Sequence, residues 1–552
     1  MRVTAGMITL QAPSLQIIKP ASPTASISGF TIVTPPAASV TTYRGQSLEK
    51  SSGGYQVWFE EFHVLPRSFD LGNVLSSQSL PIYVFLASTR RQETWNVFTN
   101  NAGAGVDLTG DPALPVVMDP FTQFAMQLEI SATGDPFVDS FLVFEFSTGT
   151  TIVPISLERI VLFELRPEIP YAEVLAFLTD VIQAKSGKER RHALRKNPRQ
   201  TFDYEYLVDE FDRSDFENRL FDFHARQFGV PVWFDDSDLS VAVLAGDTVV
   251  NVNSTAFRDY RVGGLAVILA ANGTFDVLSL TAIGATTLTS DSPTVNAYPL
   301  GLNTQVFPLA TCRLPSKLQV KRWPVNLSSM RLPFSPSNND ANLGSIAHFP
   351  TLYKGKPVIE SGQIVNGTVS ESFETRVSII DSGVGLREQT SPWDGMRHGL
   401  QLELRAQGRQ AGWELRRFAH WLRGKQVTFY VPRDAPDIVP KSDLLNLSTA
   451  MAIENIGYYQ HVRQRMPRNS IYIKLTNGTV LMRDIVNSAA SLDPTQEGLT
   501  VDIAWAGTTL LANISRISFL EKMRLDTDAV RLEFDVNAQT VRLLSPIVTV
   551  FE

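Results

Sequence analysis

The sequence predicts a mainly β protein: an N-terminal immunoglobulin-like β-sandwich followed by two homologous β-sandwich or barrel domains, each carrying one α-helix. Three observations predict it. Apolar residues alternate at period two in short runs separated by turn residues, as half-buried strands require. A pattern of strand, glycine-opened loop, strand and helix occurs twice, about 200 residues apart. The composition, 43% hydrophobic and 19% charged over 552 residues, is that of a globular chain long enough to bury more than one core.

The elements follow in order. Residues 1–53, with "KPASPTAS" and "TPPAAS", are too poor in large apolar groups to build a core and form an arm or linker. Residues 54–166 contain "YQVWFEEF", "LPIYVFLAS", "TWNVF", "QFAMQLEIS" and "SFLVFEFS", whose β-branched and aromatic alternation predicts the sandwich. The first repeat spans 167–335, a linker 336–367, and the second repeat 368–552.

A constant shift of 198 relates Leu175, Phe177, Thr179 and Val181 to Phe373, Thr375, Val377 and Ile379, and predicts one strand over 172–184 in the first copy. The same shift places Gly187 on Gly385, Arg199 on Arg397, and Phe202, Tyr204 and Tyr206 on Leu400, Leu402 and Leu404. A helix follows in each copy, with Ser214 and Glu217 as a capping box in the first and "AGWELRRFAHWLRG" in the second. A shift of 195 then puts Phe223 on Phe418, Gly229 on Gly424, Val232 on Val427 and Phe234 on Phe429. Asn272-Gly273 and Asn477-Gly478 predict type I′ hairpins. "MRLPF" at 330–334 and "VRLEF" at 530–534 close the copies.

Function classes narrow from the same residues. A net charge of −7 argues against general polyanion affinity, so no direct sequence-specific nucleic-acid contact is expected. The single cysteine, Cys312, forms no intrachain disulfide. The longest apolar run, in "GGLAVILAANG", is too short to span a membrane. No HExxH, GxSxG, P-loop or GxGxxG occurs, so no catalytic, metal or cofactor residues are assigned. Asp235, Asp236 and Asp238 form an acidic turn, with a glycosidase carboxylate pair as the catalytic alternative. The aromatic residues Trp413, Trp421, Phe216, Phe221 and Phe223 are expected in the core. The basic cluster "GKERRHALRKNPRQTF" is either a solvated loop or a source of intersubunit contacts, the candidates being Lys188, Arg190, Arg191, Arg195 and Arg199, with Arg387 and Arg397 from the second copy.

The run "ELRPEIPYAEVLAFLTDVIQAKSGKERRHALRKNPRQTFDYEY", continued by "LFDFHARQFGVPVWF", resembles the tail-tip and baseplate proteins of long, non-contractile-tailed bacteriophages and is similar to distal tail proteins. The resemblance implies a structural virion component, not an enzyme, assembled in the host bacterial cytoplasm and resident in the virion tail. Its implied partners are itself, the tail tube protein, the baseplate hub, and tail fibre or receptor-binding proteins; the duplication, which departs from the usual single-copy distal tail protein, points to self-association as a homotrimer or pseudo-hexameric ring. A host-carbohydrate-binding tail adhesin using the immunoglobulin-like loops is the alternative.

Overall fold

The computed structural model describes residues 61–551 apart from 75–76, 89, 132–136, 225, 301–303, 324–325, 338–342, 366, 394 and 536–538. The expected arm at 1–53 lies outside the described residues.

Period-two alternation yields two facing sheets in the sandwich. One sheet orders Phe62–Leu65, Gln78–Leu86, Gln123–Ile130 and Val106–Thr109; the other orders Gly149–Arg159, Phe137–Phe146 and Glu93–Asn100, flanked by Phe69–Val74 and Val116–Met118. Without the two flanking strands the chain order is 1-2-5-4 on one sheet and 7-6-3 on the other, the immunoglobulin arrangement. Trp95, on the third strand, is fully buried against the rings of Phe144 and Phe146, 5.8 and 6.2 Å away. The last sandwich strand ends at Arg159, and Val161–Leu162 already pairs with a strand of the first repeat at Phe228 and Gly229.

The first repeat runs β1 (Glu168–Ala176), β2 (Thr179–Gln183), β3 (Glu189–Ala193), β4 (Arg199–Val208), α1 (Glu210–Phe223) and β5 (Phe228–Pro231). It continues with β6 (Leu265–Leu269), β7 (Phe275–Ile283), β8 (Gln305–Arg313), β9 (Val320–Arg322) and β10 (Ser328–Pro336). The second repeat has the same order: β11 (Glu371–Glu374), β12 (Ser378–Ile380), β13 (Glu388–Thr390), β14 (Arg397–Gln407), α2 (Arg409–Leu422) and β15 (Thr428–Pro432). Then come β16 (Ser470–Leu475), β17 (Val480–Ala490), β18 (Ile514–Leu525), β19 (Ala529–Phe534) and β20 (Thr540–Thr549). Each labelled strand of the first repeat thus answers to the strand ten numbers later.

Pairing registers preserve the repeat. Val174 opposes Thr201 and Ala176 opposes Arg199, while Ser372 opposes Gly399 and Glu374 opposes Arg397, each pair 198 residues on. Gly187 and Gly385 both adopt left-handed φ, +88° and +105°, a conformation that glycine enters without a Cβ clash.

Several expectations change. The strand expected over 172–184 breaks at Phe177, because Asp528 takes the backbone N–H groups of Phe177 and Thr179 out of the ladder at 2.8 and 2.9 Å. α1 starts earlier than its expected capping box: Asp209 is the N-cap, accepting from the Asp212 N–H at 2.9 Å, and Ser214 lies inside the helix. Gly229 is not a helix stop but sits within β5, whereas Gly424 follows α2. In both hairpins only the glycine has positive φ, and its N–H bonds three residues back, to Ala270 and to Leu475. These are three-residue loops with a type I turn and a left-handed glycine, not type I′ turns.

"MRLPF" and "VRLEF" are not equivalent strands. The first lies in β10, which pairs with β4; the second is β19, which pairs with β20 and with β1 of the other repeat. The expected linker is also partly structured: Phe349 stacks edge-on against Phe418 at 4.7 Å, Val358 bridges to Tyr430, and Ile359 is fully buried. The sheets of the repeats are open and do not close into a barrel.

One antiparallel sheet crosses both repeats in the order β9-β10-β4-β1-β19-β20-β14-β11. The first four strands and the last four are the same series in the same order. The repeats are therefore joined head to tail, with Tyr171 opposite Phe534 and Ala176 opposite Ala529. A single apolar core runs through both, from Tyr204 and Phe334 to Leu402, Leu415 and Phe534.

Candidate functional site at the joint between the repeats

The joint begins with α2. Its residues Leu415, Phe418, Ala419 and Leu422 follow helical spacing and bury one face, and the same face carries Arg416 inward. Arg416 is 1% exposed and binds Glu173, itself fully buried, through two hydrogen bonds of 2.7 Å. It also donates to Asp235 at 3.3 Å, and its guanidinium lies 5.2 Å from the ring centre of Phe234. That ring stacks on Phe534 of β19 at 3.9 Å.

Four further contacts have the same polarity. Arg409 binds Asp236, Arg531 binds Asp203 at 2.7 Å, and Arg397 and Arg524 both bind Glu189, Arg524 at 2.9 Å. Every carboxylate in this set belongs to the first repeat, and every arginine to the second. Such an arrangement fixes direction as well as register, because a reversed docking would oppose like charges.

Burial works against the charge of Arg416, but the carboxylates of Glu173, Asp235 and Asp259 outweigh it and hold its pKa above the usual arginine range. Burial also tends to raise Asp203, yet hydrogen bonds from Arg331 and Arg531 bring it below its ordinary value. For Asp235 burial wins over Arg416 and pushes the carboxyl up to about 7. Burial pulls the His420 imidazole down to about 4.

The two shifted groups oppose each other with pH. The raised Asp235 contributes stability that is present below its ordinary 3.8 and lost as pH rises through about 7. The lowered His420 contributes above its ordinary 6.5 and loses that as pH falls through about 4. Relative to the parent chain, Asp235→Asn should therefore lose more stability on acidification from neutral pH to about 4.5, and His420→Gln less. Urea midpoints at the two pH values measure both; equal shifts in the two variants would refute the assignment.

The predicted contact residues divide at this joint. Arg397 is an ion-pair partner of Glu189, and Arg191 donates to the Gln426 carbonyl at 3.0 Å, so both serve the contact between repeats of one chain. Arg195 turns back on its own repeat, to the Ala176 carbonyl at 2.9 Å. Lys188, Arg190, Arg199 and Arg387 are exposed, although the Lys188 backbone bridges to Phe551.

The acidic turn is present, closed by the Asp235 N–H on the Val232 carbonyl at 2.9 Å, but Asp235 and Asp236 lie inside the protein, each 3% exposed and arginine-bound. Phe216 is buried as expected, but Phe221 is 89% exposed and Trp413 and Trp421 are half-buried. Sequence reasoning missed Glu173, Arg416 and Arg524. An arginine among the apolar positions of "WELRRFAHWL" was the available signal for Arg416.

Fold and joint together define a tandem-repeat β protein whose repeats share one sheet. No family model and no curated protein matches the chain. Among solved structures it is similar to a crystal structure of tripeptidyl peptidase 2 at 9% identity and a TM-score of 0.15, covering 89% of this chain and 36% of that one. The chain thus spans about a third of that chain's length, and a likeness at this level carries no argument. No helix among the described residues is long and apolar enough to cross a membrane.

Proposed function

We propose that this chain is a structural component of the bacteriophage tail tip, a ring-forming connector between the tail tube and the baseplate hub with its fibres. The observation that carries the reading is the directional joint: β1 meets β19, and acids on one repeat meet arginines on the next. A heterologous contact of this kind adds units in one sense, as a ring does. Three chains of two repeats each would offer six similar surfaces to a tube and three to a hub. The resemblance to distal tail proteins supports the same reading, and so does the use of Arg191 and Arg397 within the chain instead of on a phosphate backbone.

The virion tail is the proposed location, reached after assembly in the host cytoplasm. Antibody labelling and imaging of purified tail particles test it. Three copies at the tail tip are expected; labelling of the capsid, or absence from the particle, would overturn it.

A further inference from the structure

The geometry points to a second joint, between chains, in which β11 of one chain pairs with the first residue of β9 and the three non-strand residues that lead into it, 317–320, of another copy of the same chain. It rests on the ring-forming reading and names the surface that such a ring would use. Inside the chain, β1 is covered by β19. Their counterparts, β11 and β9, are the two ends of the eight-strand series, and among the described residues each has one strand partner only. The two open edges are therefore the halves of the contact already formed once within the chain.

The internal register fixes the external one. Transferring Glu173 opposite Leu532 by strand equivalence places Glu371 opposite Val320, Ser372 opposite Gln319, Phe373 opposite Leu318 and Glu374 opposite Lys317. Glu374 stands exposed on one edge, next to Glu371, which accepts from Arg433 of its own repeat at 2.9 Å; Lys317 and Lys321 stand exposed on the other, with Arg322 bound to Glu217 at 2.8 Å. The edges thus carry acids on the strand corresponding to β1 and cations beside the strand corresponding to β19, although the internal pairs are not copied residue by residue: Gln319 stands in the place of Arg531 and Gln401 in that of Asp203. By the same equivalence Arg199 and Arg313 occupy the places of Arg397 and Arg524 but Arg387 occupies that of Glu189, so three exposed cations replace the internal ion cluster and this corner does not contribute to the pairing.

Apolar surface is left open on both sides. Within the chain the β2–β3 hairpin lies on the second repeat, where a Cβ added at Gly187 would come 3.0 Å from the Phe551 ring. Its counterpart β12–β13 is exposed throughout, with Val384 at 87%, Leu386 at 99% and Ile380 at 60%, and a Cβ at Gly385 would meet nothing within 4 Å. The first repeat exposes Phe211 and Phe221 on α1, and Trp323 just past β9. An open sheet edge flanked by apolar side chains is a site for strand addition. Arg387 replaces Glu189 at the hairpin, so the buried ion cluster is not copied, and the edge pairing with its charge pairs sets the register.

Cysteine pairing in the full-length chain tests this. Native Cys312 is buried and does not compete. With Ser372→Cys and Gln319→Cys in one chain, mild oxidation should link most chains into multiples that end at a closed species. A control with Ser372→Cys and Lys317→Cys, two residues out of register, should link at least tenfold less, since disulfides tolerate Cα separations only to about 7 Å. Glu374→Lys should weaken self-association, and adding Lys317→Glu should restore it.

Mass measurement of the same samples separates this pairing from the tail-tip reading. Rings without linkage, linkage indifferent to register, or chains that stay monomeric and unlinked each overturn the pairing. In-register linkage of a chain absent from tail particles keeps the pairing and removes the tail-tip reading.

Discussion

Arg416→Ala should lower the stability of the paired repeats by about 3–5 kcal/mol, the loss expected when one partner of a buried ion pair is removed. Glu173 would keep a carboxylate with no exposure and lose its bidentate partner, and Asp235 would keep only the Asp259 N–H of its two hydrogen-bond donors. Denaturant midpoints give the size of the effect. Hydrogen exchange gives its location: amides of β1 and β19 should open first, because Arg416 anchors α2 of one repeat to β1 of the other. A loss below about 1 kcal/mol, the scale of a surface pair, would show that water reaches the cluster and the pairing is dispensable. Replacing Arg416, Glu173 and Asp235 together by apolar residues of similar volume should be far milder than removing Arg416 alone, because no buried charge is then orphaned.

The second large effect is expected at Glu189. Its carboxylate is 1% exposed and receives Arg397 and Arg524, whose side chains are 13% and 5% exposed. Glu189→Ala leaves Arg397 without its carboxylate and Arg524 with only the half-exposed Asp526 at 3.0 Å, and a loss of about 3 kcal/mol follows. Arg190→Glu, one residue away on the exposed face of β3, should change stability by no more than about 0.5 kcal/mol. The contrast between neighbours is the diagnostic result. Equal effects would mean that the hairpin acts as one solvated charge run. Arg191→Glu falls between them, since Arg191 holds a carbonyl of the second repeat.

How far the sequence went depends on the kind of interaction. Strand alternation and the 198-residue shift located β1, β4, β11 and β14 and their mutual register, because those features are local and periodic. The Asn-Gly pairs located two hairpins but not their turn type, which depends on where the strands stop pairing. The match between "MRLPF" and "VRLEF" failed because similar alternation occurs in two strands that take different places in the sheet. Asp235 and Asp236 were legible as an acidic turn but not as buried ion-pair partners, since five residues of local context cannot show that Arg409 and Arg416, more than 170 positions away, come to rest on them.

The basic cluster at 187–202 shows the division most clearly. Its composition left it open between a solvated loop and an intersubunit contact, and the repeat marked Gly187 with Gly385 and Arg199 with Arg397 as a shared frame. The partner assignment could not be drawn from either, because it is the lone acid of the cluster, Glu189, that organises the contact. What the sequence by itself determined was a β protein made of a sandwich and one fold used twice, since backbone periodicity and turn chemistry act over a few residues. Only the tertiary structure decided that the two copies join head to tail through β1 and β19, with acids on one side and arginines on the other. Burial of a charge is favourable only beside its partner, and that proximity is a property of the folded chain.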